Sequence, residues 1–389
     1  MTSDLTARFP LGARVTLAEL ETGPHPVLAR LRDREPVSWL PVLDGWLVTS
    51  HALALRVMRD AAAFTVDDPR FSTARVVGAS MLSLDGRAHT RHREPFARPF
   101  RPAPVRARFT AFVRDEVDRL VAALAPAGRA ELRSELAGPL AVAVVAEALG
   151  LEGVDAAAVR SWYESFVTAV SRITAGGDAP EETAAAYDRL RASVERAITA
   201  PGGASLLAEA ARQDEGLSTA EIVSNAAVLM FGGIDTTEGM ITNAALHVLG
   251  HPEPVGADLL DAAIEESLRL EPSASVVDRY ATRDTDLGGA PVRAGDLVRV
   301  SIAGANRDPA VFPDPDRFDP RRAGVSDHLA FAHGPHFCFG AHLARMEART
   351  ALEALLSRLP GLRLAPDAAA EPQGLVFRKP PCLDVVWDV

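Results

Sequence analysis

The stretch FAHGPHFCFG, residues 331–340, is the part of the chain that decides its fold. It places Cys338, one of only two cysteines, between two glycines and just before an alanine-rich segment that predicts a helix. Gly334 allows a tight turn, and Gly340 lets the next helix approach a flat ring without an intervening Cβ. Phe331 can shield the sulfur from water, and the free N–H groups at the helix start favour the thiolate. The stretch therefore predicts a cysteinate ligand.

Three interpretations of Cys338 remain open from the residues alone. A cysteine among phenylalanines and glycines is often a small buried hydrophobic residue. A cysteine nucleophile would need His333 or His336 as its base and an open approach, whereas phenylalanine stands on both sides of Cys338. The third interpretation is an anionic sulfur bound to haem iron, a ligand that pushes electron density onto the metal and favours O–O cleavage.

The composition favours one helix-rich unit. Of 389 residues, 48% are hydrophobic and only 6% aromatic, and alanine and leucine supply much of the apolar content. Because no linker, low-complexity tract or repeat interrupts it, we expect a single domain over residues 1–389. With no secretion signal and no apolar run long enough for a bilayer, we expect a cytoplasmic monomer with no membrane contact. The net charge of −11 argues against a nucleic-acid partner.

Small β regions are expected near residues 37–49, 287–300 and 375–387. Asp44-Gly45 between two apolar runs is typical of a hairpin. Ser50 is expected to cap a short helix over residues 51–59. The fold class is therefore predicted to be mainly α with a small β part.

The longest predicted helix begins at a capping box, residues 218–221, and ends near Gly250. Gly232 and Gly233 weaken its middle, and Asp235 lies there among apolar neighbours, where an unpaired carboxylate is costly. The glycine pair alone fits close helix packing equally well. With Asp235 and Thr236, it indicates a bulged helix over a flat ligand, with room for O₂, a hydroxyl to bind it and an acid to relay protons.

A third motif is a glutamate and an arginine three residues apart. Glu266 and Arg269 lie on one face of a predicted helix, where they can form an ion pair. By itself this spacing most often marks a surface ion pair. Arg317, further along the chain, offers a second guanidinium for the same carboxylate.

These three motifs, in this order and at these separations, resemble those of the cytochrome P450 family of the soluble bacterial type, over about residues 68–389. Residues 232–236 are similar to the family's oxygen-binding helix, residues 266–269 to its glutamate–arginine helix, and residues 331–340 to its cysteine loop. The resemblance implies the P450 fold, with a long central helix over haem b. It implies Cys338 as the iron ligand and Glu266, Arg269 and Arg317 as a structural triad.

The resemblance also implies the cofactor and substrate contacts. Propionates of the haem would be bound by His89, Arg93, Arg279 and His336, because two carboxylates in an apolar pocket need cationic donors. Ala332 stands where the family usually has glycine. The further implied haem contacts are Gly232, Gly233, Phe331, Cys338 and Gly340. The implied substrate pocket consists of Val76, Val77, Met81, Val228, Phe231, Val276, Val277, Val376 and Phe377.

By the same resemblance, the chain would be a haem-thiolate monooxygenase of secondary metabolism. It would activate O₂ to hydroxylate or epoxidise a hydrophobic small molecule, with Asp235 and Thr236 as catalytic residues. Alternatives are a haem-thiolate peroxygenase, a nitrating or oxidatively coupling variant, and a non-catalytic haem-binding sensor. The chain has no flavin-binding or iron–sulfur motif, so we expect electrons from a separate ferredoxin and ferredoxin reductase. Seven arginines between Arg87 and Arg108, against Glu94 alone, are the candidate docking face.

Overall fold

The computed structural model describes residues 2–151, 153–174, 177–199, 205–212, 216–366 and 371–389. Its architecture is mainly helical with a small β part, as the sequence predicts. The α-helices, in chain order, are α1 (Thr2–Arg8), α2 (Leu17–Thr22), α3 (Pro24–Arg34), α4 (His51–Arg59), α5 (Ser72–Val77), α6 (Gly86–Ala97), α7 (Pro102–Leu124), α8 (Gly138–Leu149), α9 (Ala156–Thr174), α10 (Glu181–Thr199), α11 (Leu206–Ala211), α12 (Thr219–Gly233), α13 (Asp235–Gly250), α14 (Leu260–Leu270), α15 (Ile302–Ala305) and α16 (Ala341–Arg358).

The strands form three small sheets within the described ranges. The strands are β1 (Val37–Leu40), β2 (Gly45–Val48), β3 (Phe64–Thr65), β4 (Arg129–Glu131), β5 (Val276–Ala281), β6 (Thr285–Leu287), β7 (Ala290–Val292), β8 (Leu297–Ser301), β9 (Arg363–Leu364) and β10 (Asp384–Val386). A five-stranded sheet has the order β1-β2-β8-β5-β3, a three-stranded sheet the order β4-β10-β9, and β6 pairs with β7. The expectation of one domain over residues 1–389 stays a prediction.

The hairpin of β1 and β2 differs from the predicted one in its turn. The strands pair antiparallel from Val37 opposite Val48 to Leu40 opposite Gly45. A short 3₁₀ turn, Pro41–Leu43, and a left-handed Asp44 connect them, instead of a two-residue turn.

Helix α4 begins at His51, as expected, but its cap comes from elsewhere. Ser50 makes no side-chain capping bond. The backbone N–H of His51 instead donates to the carboxylate of Asp308 at 2.9 Å. A carboxylate at a helix start also complements the helix dipole. Asp308, which is distant in sequence, therefore caps α4 in place of Ser50.

Helix α16, which follows the cysteine loop, is held by the helical core. Helix α7 packs against it along a stripe of fully buried residues, Phe109, Val113 and Val117, at four-residue spacing. The same cluster includes Ala348, Ala351 and Leu352 of α16. Burial of such a stripe stabilises a helix far more than its intrinsic propensity does. The position of the cysteine loop is therefore fixed from behind.

The long central helix is bent in its middle. The predicted capping box is present, because the Ser218 side chain and the Glu221 side chain each bind the other's backbone N–H. Helix α12 ends at Gly233 and α13 begins at Asp235, with Ile234 at the bend. Hydrogen bonds continue across it, from Ile234 N to Met230 O at 3.1 Å and from Glu238 N to Ile234 O at 2.9 Å. The region that the sequence predicts to be weakened is thus a bend between α12 and α13, which together form one hydrogen-bonded helix.

Candidate active site

A cavity of about 280 Å³ lies between the central helix and the cysteine loop. Apolar side chains supply most of its lining. The central helix and α8 contribute Val144, Val145, Ala148, Leu149, Val228, Leu229, Gly232, Gly233, Thr236, Thr237 and Met240. The loop and α16 contribute Ala330, Phe331, Ala332, His336, Cys338, Phe339, Gly340, Leu343, Ala344 and Glu347.

The cysteine loop is shaped by close backbone approaches. The N–H of Cys338 donates to the carbonyl of Phe331 at 2.9 Å, which closes the loop. Gly334 has φ +74°, and a Cβ there would lie 2.4 Å from the carbonyl oxygen of Met58, so only glycine fits. Ala332 has φ 56°, a left-handed conformation that explains why glycine is usual at this position.

The sulfur of Cys338 is exposed to the cavity, although protein surrounds it on the other sides. Burial raises the pKa of this thiol above its ordinary value, while the N–H groups of Gly340 and Ala341 and the charges of Arg93 and Arg345 lower it. The predicted effect of the helix start is therefore present but is outweighed by burial. A bound cation would reverse the balance, since metal ligation deprotonates a thiol outright.

The two glycines of the central helix serve different purposes. A Cβ on Gly232 would meet nothing within 4 Å, so this residue leaves open space on the cavity side. A Cβ on Gly233 would lie 2.7 Å from a methyl group of Val145, so this residue permits close packing against α8. The hydroxyl of Thr236 lines the cavity and donates to the carbonyl of Gly232.

The carboxylate of Asp235 is paired, which avoids the cost of an unpaired charge among apolar neighbours. Its Oδ1 lies 2.5 Å from Nζ of Lys379, and the same Nζ lies 2.7 Å from Oε1 of Glu238. Glu238 also accepts from Arg133 Nε at 2.6 Å and lies 3.8 Å from Arg160. We call these five residues the Lys379 cluster.

Nitrogen donors gather at one edge of the cavity. The rings of His89 and His336 are 4.3 Å apart, and Nε2 of His336 bonds Asp85 at 2.9 Å. Nε2 of His89 is buried with no hydrogen-bond partner in the described structure. Arg279 is also buried, and the bond that the structure gives its guanidinium goes to the carbonyl of Asp278 at 2.8 Å. Arg93 donates to the carbonyl of Phe337 at 2.5 Å.

The charges at this edge favour an anionic partner. Burial, together with the neighbouring His336 and Arg93, lowers the pKa of His89 to about 4. Burial also lowers the pKa of Arg279. The carboxylates of Asp85 and Asp278 offset only part of the cost of burying Arg279, and an orphaned buried imidazole is costly as well. Added carboxylates at this edge would satisfy both groups, so the residues fit a flat dianionic ring with a metal facing Cys338.

The glutamate–arginine motif forms a fully buried cluster, but Arg317 is not part of it. Arg269 binds Glu266 through two bonds of 2.7 and 2.8 Å, and the third member is Arg322, whose Nε lies 2.9 Å from Glu266 Oε1. The side chain of Arg317 is 63% exposed and faces Asp314 and Asp319. We call Glu266, Arg269 and Arg322 the Glu266 cluster. The prediction of Arg317 was wrong because only the fold of residues 313–322 decides which arginine turns inward.

The predicted substrate-pocket residues separate into two groups. Met81, Val228 and Val277 line the cavity. Phe231 and Phe377 pack on each other with ring centroids 5.5 Å apart, outside that lining. Four others also lie outside it: Val77 and Val276 are buried in the core, Val76 is half-buried and Val376 is exposed.

Several residues of the site were not predicted from the sequence. Arg322 and Glu347 carried no local signal, since both lie in ordinary charged or helical segments. Burial raises the pKa of Glu347 well above its ordinary value, and its Oε2 has no partner among the described residues. Lys379 did carry a signal, because it is the one lysine among 41 basic residues.

Comparison with known proteins agrees with this geometry. The family model for cytochrome P450 matches residues 257–368. Cytochrome P450 monooxygenase PikC of Streptomyces venezuelae is 36% identical over 88% of this chain and 85% of that protein. Mycinamicin IV hydroxylase/epoxidase of Micromonospora griseorubida is 34% identical over 92% of this chain and 94% of that protein. The structure of CalO2 matches with TM-score 0.86 and 32% identity, over 94% of this chain and 96% of that one.

These likenesses extend over nearly the whole chain and include the fold, so they fix both the cofactor and the type of chemistry. The cofactor is haem b, and the family implies O₂ and a small-molecule substrate as reactants, together with redox partners. None of the described helices is long and apolar enough to span a bilayer. The chain belongs to the cytochrome P450 family and is a haem-thiolate monooxygenase.

Proposed function

We propose that Cys338 and Thr236, which line one cavity, act together with bound haem to hydroxylate or epoxidise a hydrophobic small molecule. The observation that carries this proposal is that one apolar cavity is lined by both residues, and that the nitrogen donors at its edge include the buried Nε2 of His89, which has no hydrogen-bond partner among the described residues. When bound, haem b supplies the binding of O₂ and the cleavage of its O–O bond.

The chain's own residues would then hold, orient and supply protons. Cys338 would ligate the iron, and His89, Arg93, Arg279 and His336 would bind the propionates. Gly232 leaves space beside the reacting centre. Thr236 and Asp235 would hold and pass protons, the hydroxyl from within the cavity and the carboxylate from the helix turn beside it.

The substrate proposed for this site is apolar near the reacting carbon. The lining offers few polar side chains apart from those assigned to haem and protons. The apolar side chains of the lining, among them Val144, Leu229 and Leu343, favour a hydrophobic molecule. The relative named as a hydroxylase/epoxidase supports both outcomes for such a substrate.

A ferredoxin with its reductase is the proposed electron donor. Arg98 and Arg101 are 62% and 67% exposed and share Glu94, and Arg106 is exposed on α7. An acidic ferredoxin would complement this face. Arg106→Glu should slow reduction several-fold at low salt and much less at high salt, measured by stopped-flow reduction. Unchanged rates at low salt would remove this face from the proposal.

Haem ligation is tested through the spectrum of the reduced, carbon monoxide-bound protein. Cys338→Ala should abolish the red-shifted Soret band of thiolate ligation, while Cys382→Ala, at the other cysteine, should keep it. If the band persists in Cys338→Ala, the assignment of the ligand is wrong.

The assigned proton donors are tested through the coupling of electrons to product. A substrate is first chosen as the compound that shifts the iron spin state in a spectral titration. Thr236→Ala should then send most reducing equivalents to hydrogen peroxide, whereas Thr236→Ser should retain much of the coupling because it keeps the hydroxyl. Equal product yield per NADPH in Thr236→Ala would contradict the role. Full turnover with hydrogen peroxide in place of NADPH would instead favour a peroxygenase.

A further inference from the structure

Lys379 is the single lysine of the chain, which has 41 lysines and arginines in all. Its side chain is 11% exposed and its ammonium contacts two carboxylates of the central helix, Asp235 and Glu238, which are 17% and 3% exposed. These acids are three residues apart, so they lie on one helix face. A compact ammonium with three donors can bind both at once, whereas a guanidinium prefers to bind one carboxylate through its planar fork.

The backbone that presents Lys379 is fixed by its neighbour, Arg378. This guanidinium is buried and donates to Glu271 Oε1 at 2.7 Å and to three backbone carbonyls, those of Glu21, Pro372 and Gly374. Such a saturated donor set holds the segment rigidly against the central helix. The ammonium of Lys379 is therefore held in a fixed position beside Asp235 and Glu238.

Glu238 has cations of its own. Arg133 lies 2.6 Å from it and Arg160 3.8 Å from it, and the two arginines are about a third exposed. Gly138 leaves room for this contact, because a Cβ there would lie 2.8 Å from Glu238 Oε2. The Lys379 cluster thus contains two carboxylates and three cations. If Asp235 moves away, Lys379 still has Glu238, so the buried ammonium is not left unpaired.

Asp235 is consequently the carboxylate whose departure leaves Lys379 with a counter-ion. Its neighbour Thr236 faces the cavity, while the Asp235 carboxylate itself lies on Lys379. The buried hydroxyl of Tyr163 makes no well-formed hydrogen bond among the described residues. Burial, together with the nearby carboxylate of Asp235, raises the pKa of Tyr163. This hydroxyl is a second polar group beside the path of the carboxylate.

We propose that Lys379 is a positioning residue for oxygen activation: it holds the Asp235 carboxylate outside the cavity, and Glu238 keeps the ammonium paired when Asp235 turns toward Thr236. The inference rests on the proposed function of Asp235 and Thr236 as proton donors. Glu238 lowers the free-energy cost of moving Asp235, since it replaces Asp235 as the counter-ion of Lys379.

The pairing is tested without turnover, because feeding ¹⁵Nζ-lysine labels one side chain in the whole protein. In the diamagnetic reduced carbon monoxide form, the ammonium protons of wild type should exchange slowly and give one ¹⁵N–¹H signal. Asp235→Asn should keep the signal, and Asp235→Asn/Glu238→Gln should lose it through at least tenfold faster exchange. Loss of the signal in Asp235→Asn alone, or its absence from wild type, would overturn the proposal.

The functional consequence is tested with Glu238→Gln, which leaves Asp235 as the sole carboxylate on Lys379. Product formation should slow at least fivefold with a larger solvent deuterium isotope effect, while the spectral Kd of the chosen substrate stays the same. Glu164→Gln is the matched control, since Glu164 is 62% exposed and contacts Arg160 only from outside. Unchanged rate and isotope effect in Glu238→Gln would overturn the exchange. If Thr236→Ala stays fully coupled while the Lys379 signal behaves as expected, the pairing of Lys379 stands and the proposed roles of Asp235 and Thr236 as proton donors are wrong.

Discussion

Two buried ion clusters of this molecule distribute charge in opposite ways. In the Glu266 cluster one carboxylate receives two guanidinium groups and the backbone N–H of Asp319, and Glu266 and Arg269 are 0% exposed. In the Lys379 cluster one ammonium is shared by two carboxylates, and the cluster reaches the surface through Arg133 and Arg160. A carboxylate whose acceptor positions are filled by fixed donors cannot move. An ammonium with two acceptors can exchange one for the other, so similar chemistry yields a fixed anchor in one place and an adjustable contact in the other.

The largest effect is expected from Glu266→Gln, which removes the charge that two buried arginines share. Breaking a buried pair in this way costs about 3–5 kcal/mol, a large part of the stability of an ordinary domain. We expect little haem-loaded protein and a much lower urea midpoint. Asp261→Asn on the same helix, where the aspartate is 81% exposed, should change the midpoint little. Similar midpoints for the two variants would show that the Glu266 cluster is not an anchor.

A pair of variants distinguishes the two arginines near Glu266. Arg322→Met should lower the free energy of unfolding by about 2 kcal/mol, because Arg322 is 7% exposed and also donates to the carbonyls of Pro313, Asp314 and Arg317. Arg317→Met should cost less than about 0.5 kcal/mol, as is usual for an exposed side chain. Urea unfolding of both proteins is the measurement. The reverse order of effects would restore Arg317 as the triad member.

Glu347 shows what burial does to a carboxyl group whose Oε2 has no partner among the described residues. Its pKa in the folded state is raised by burial, so the folded protein keeps a proton that the unfolded chain releases above its ordinary pKa. Stability therefore falls as pH rises above about 4.3, by at most ~1.4 kcal/mol per pH unit. Glu347→Gln should match wild type near pH 4 and become more stable than wild type toward pH 8. Unfolding across this range should show no such trend for Glu353→Gln, a 55% exposed glutamate of the same helix.

The smallest effect concerns backbone strain in the cysteine loop instead of charge. Ala332 has φ 56°, where a residue with a Cβ is disfavoured by about 1–2 kcal/mol. Glycine relieves this strain but gains freedom in the unfolded chain, so Ala332→Gly should stabilise by about 0.5 kcal/mol. Ala330→Gly, two residues earlier and without a positive φ, should destabilise by a similar amount. A loss of stability in Ala332→Gly would show that the loop is not strained there.

Much of this protein was determined by short stretches of its sequence. The cysteine loop, the weakened helix at residues 232–236 and the Glu266–Arg269 pair are local, because glycine, a capping box or a three-residue spacing acts within one or two turns. The helix-rich fold followed from composition and periodicity, and haem and oxygen chemistry followed from the motifs in register.

Tertiary structure decided which distant groups meet. Asp308 replaced Ser50 at the start of α4, Arg322 replaced Arg317 on Glu266, and Lys379 came from 144 residues away to bind Asp235. Arginines at neighbouring positions of a sequence can reach the same carboxylate equally well. Their pairing therefore depends on which of them the folded backbone turns inward. Burial then fixes the outcome, since a buried charge must find a partner while an exposed one need not.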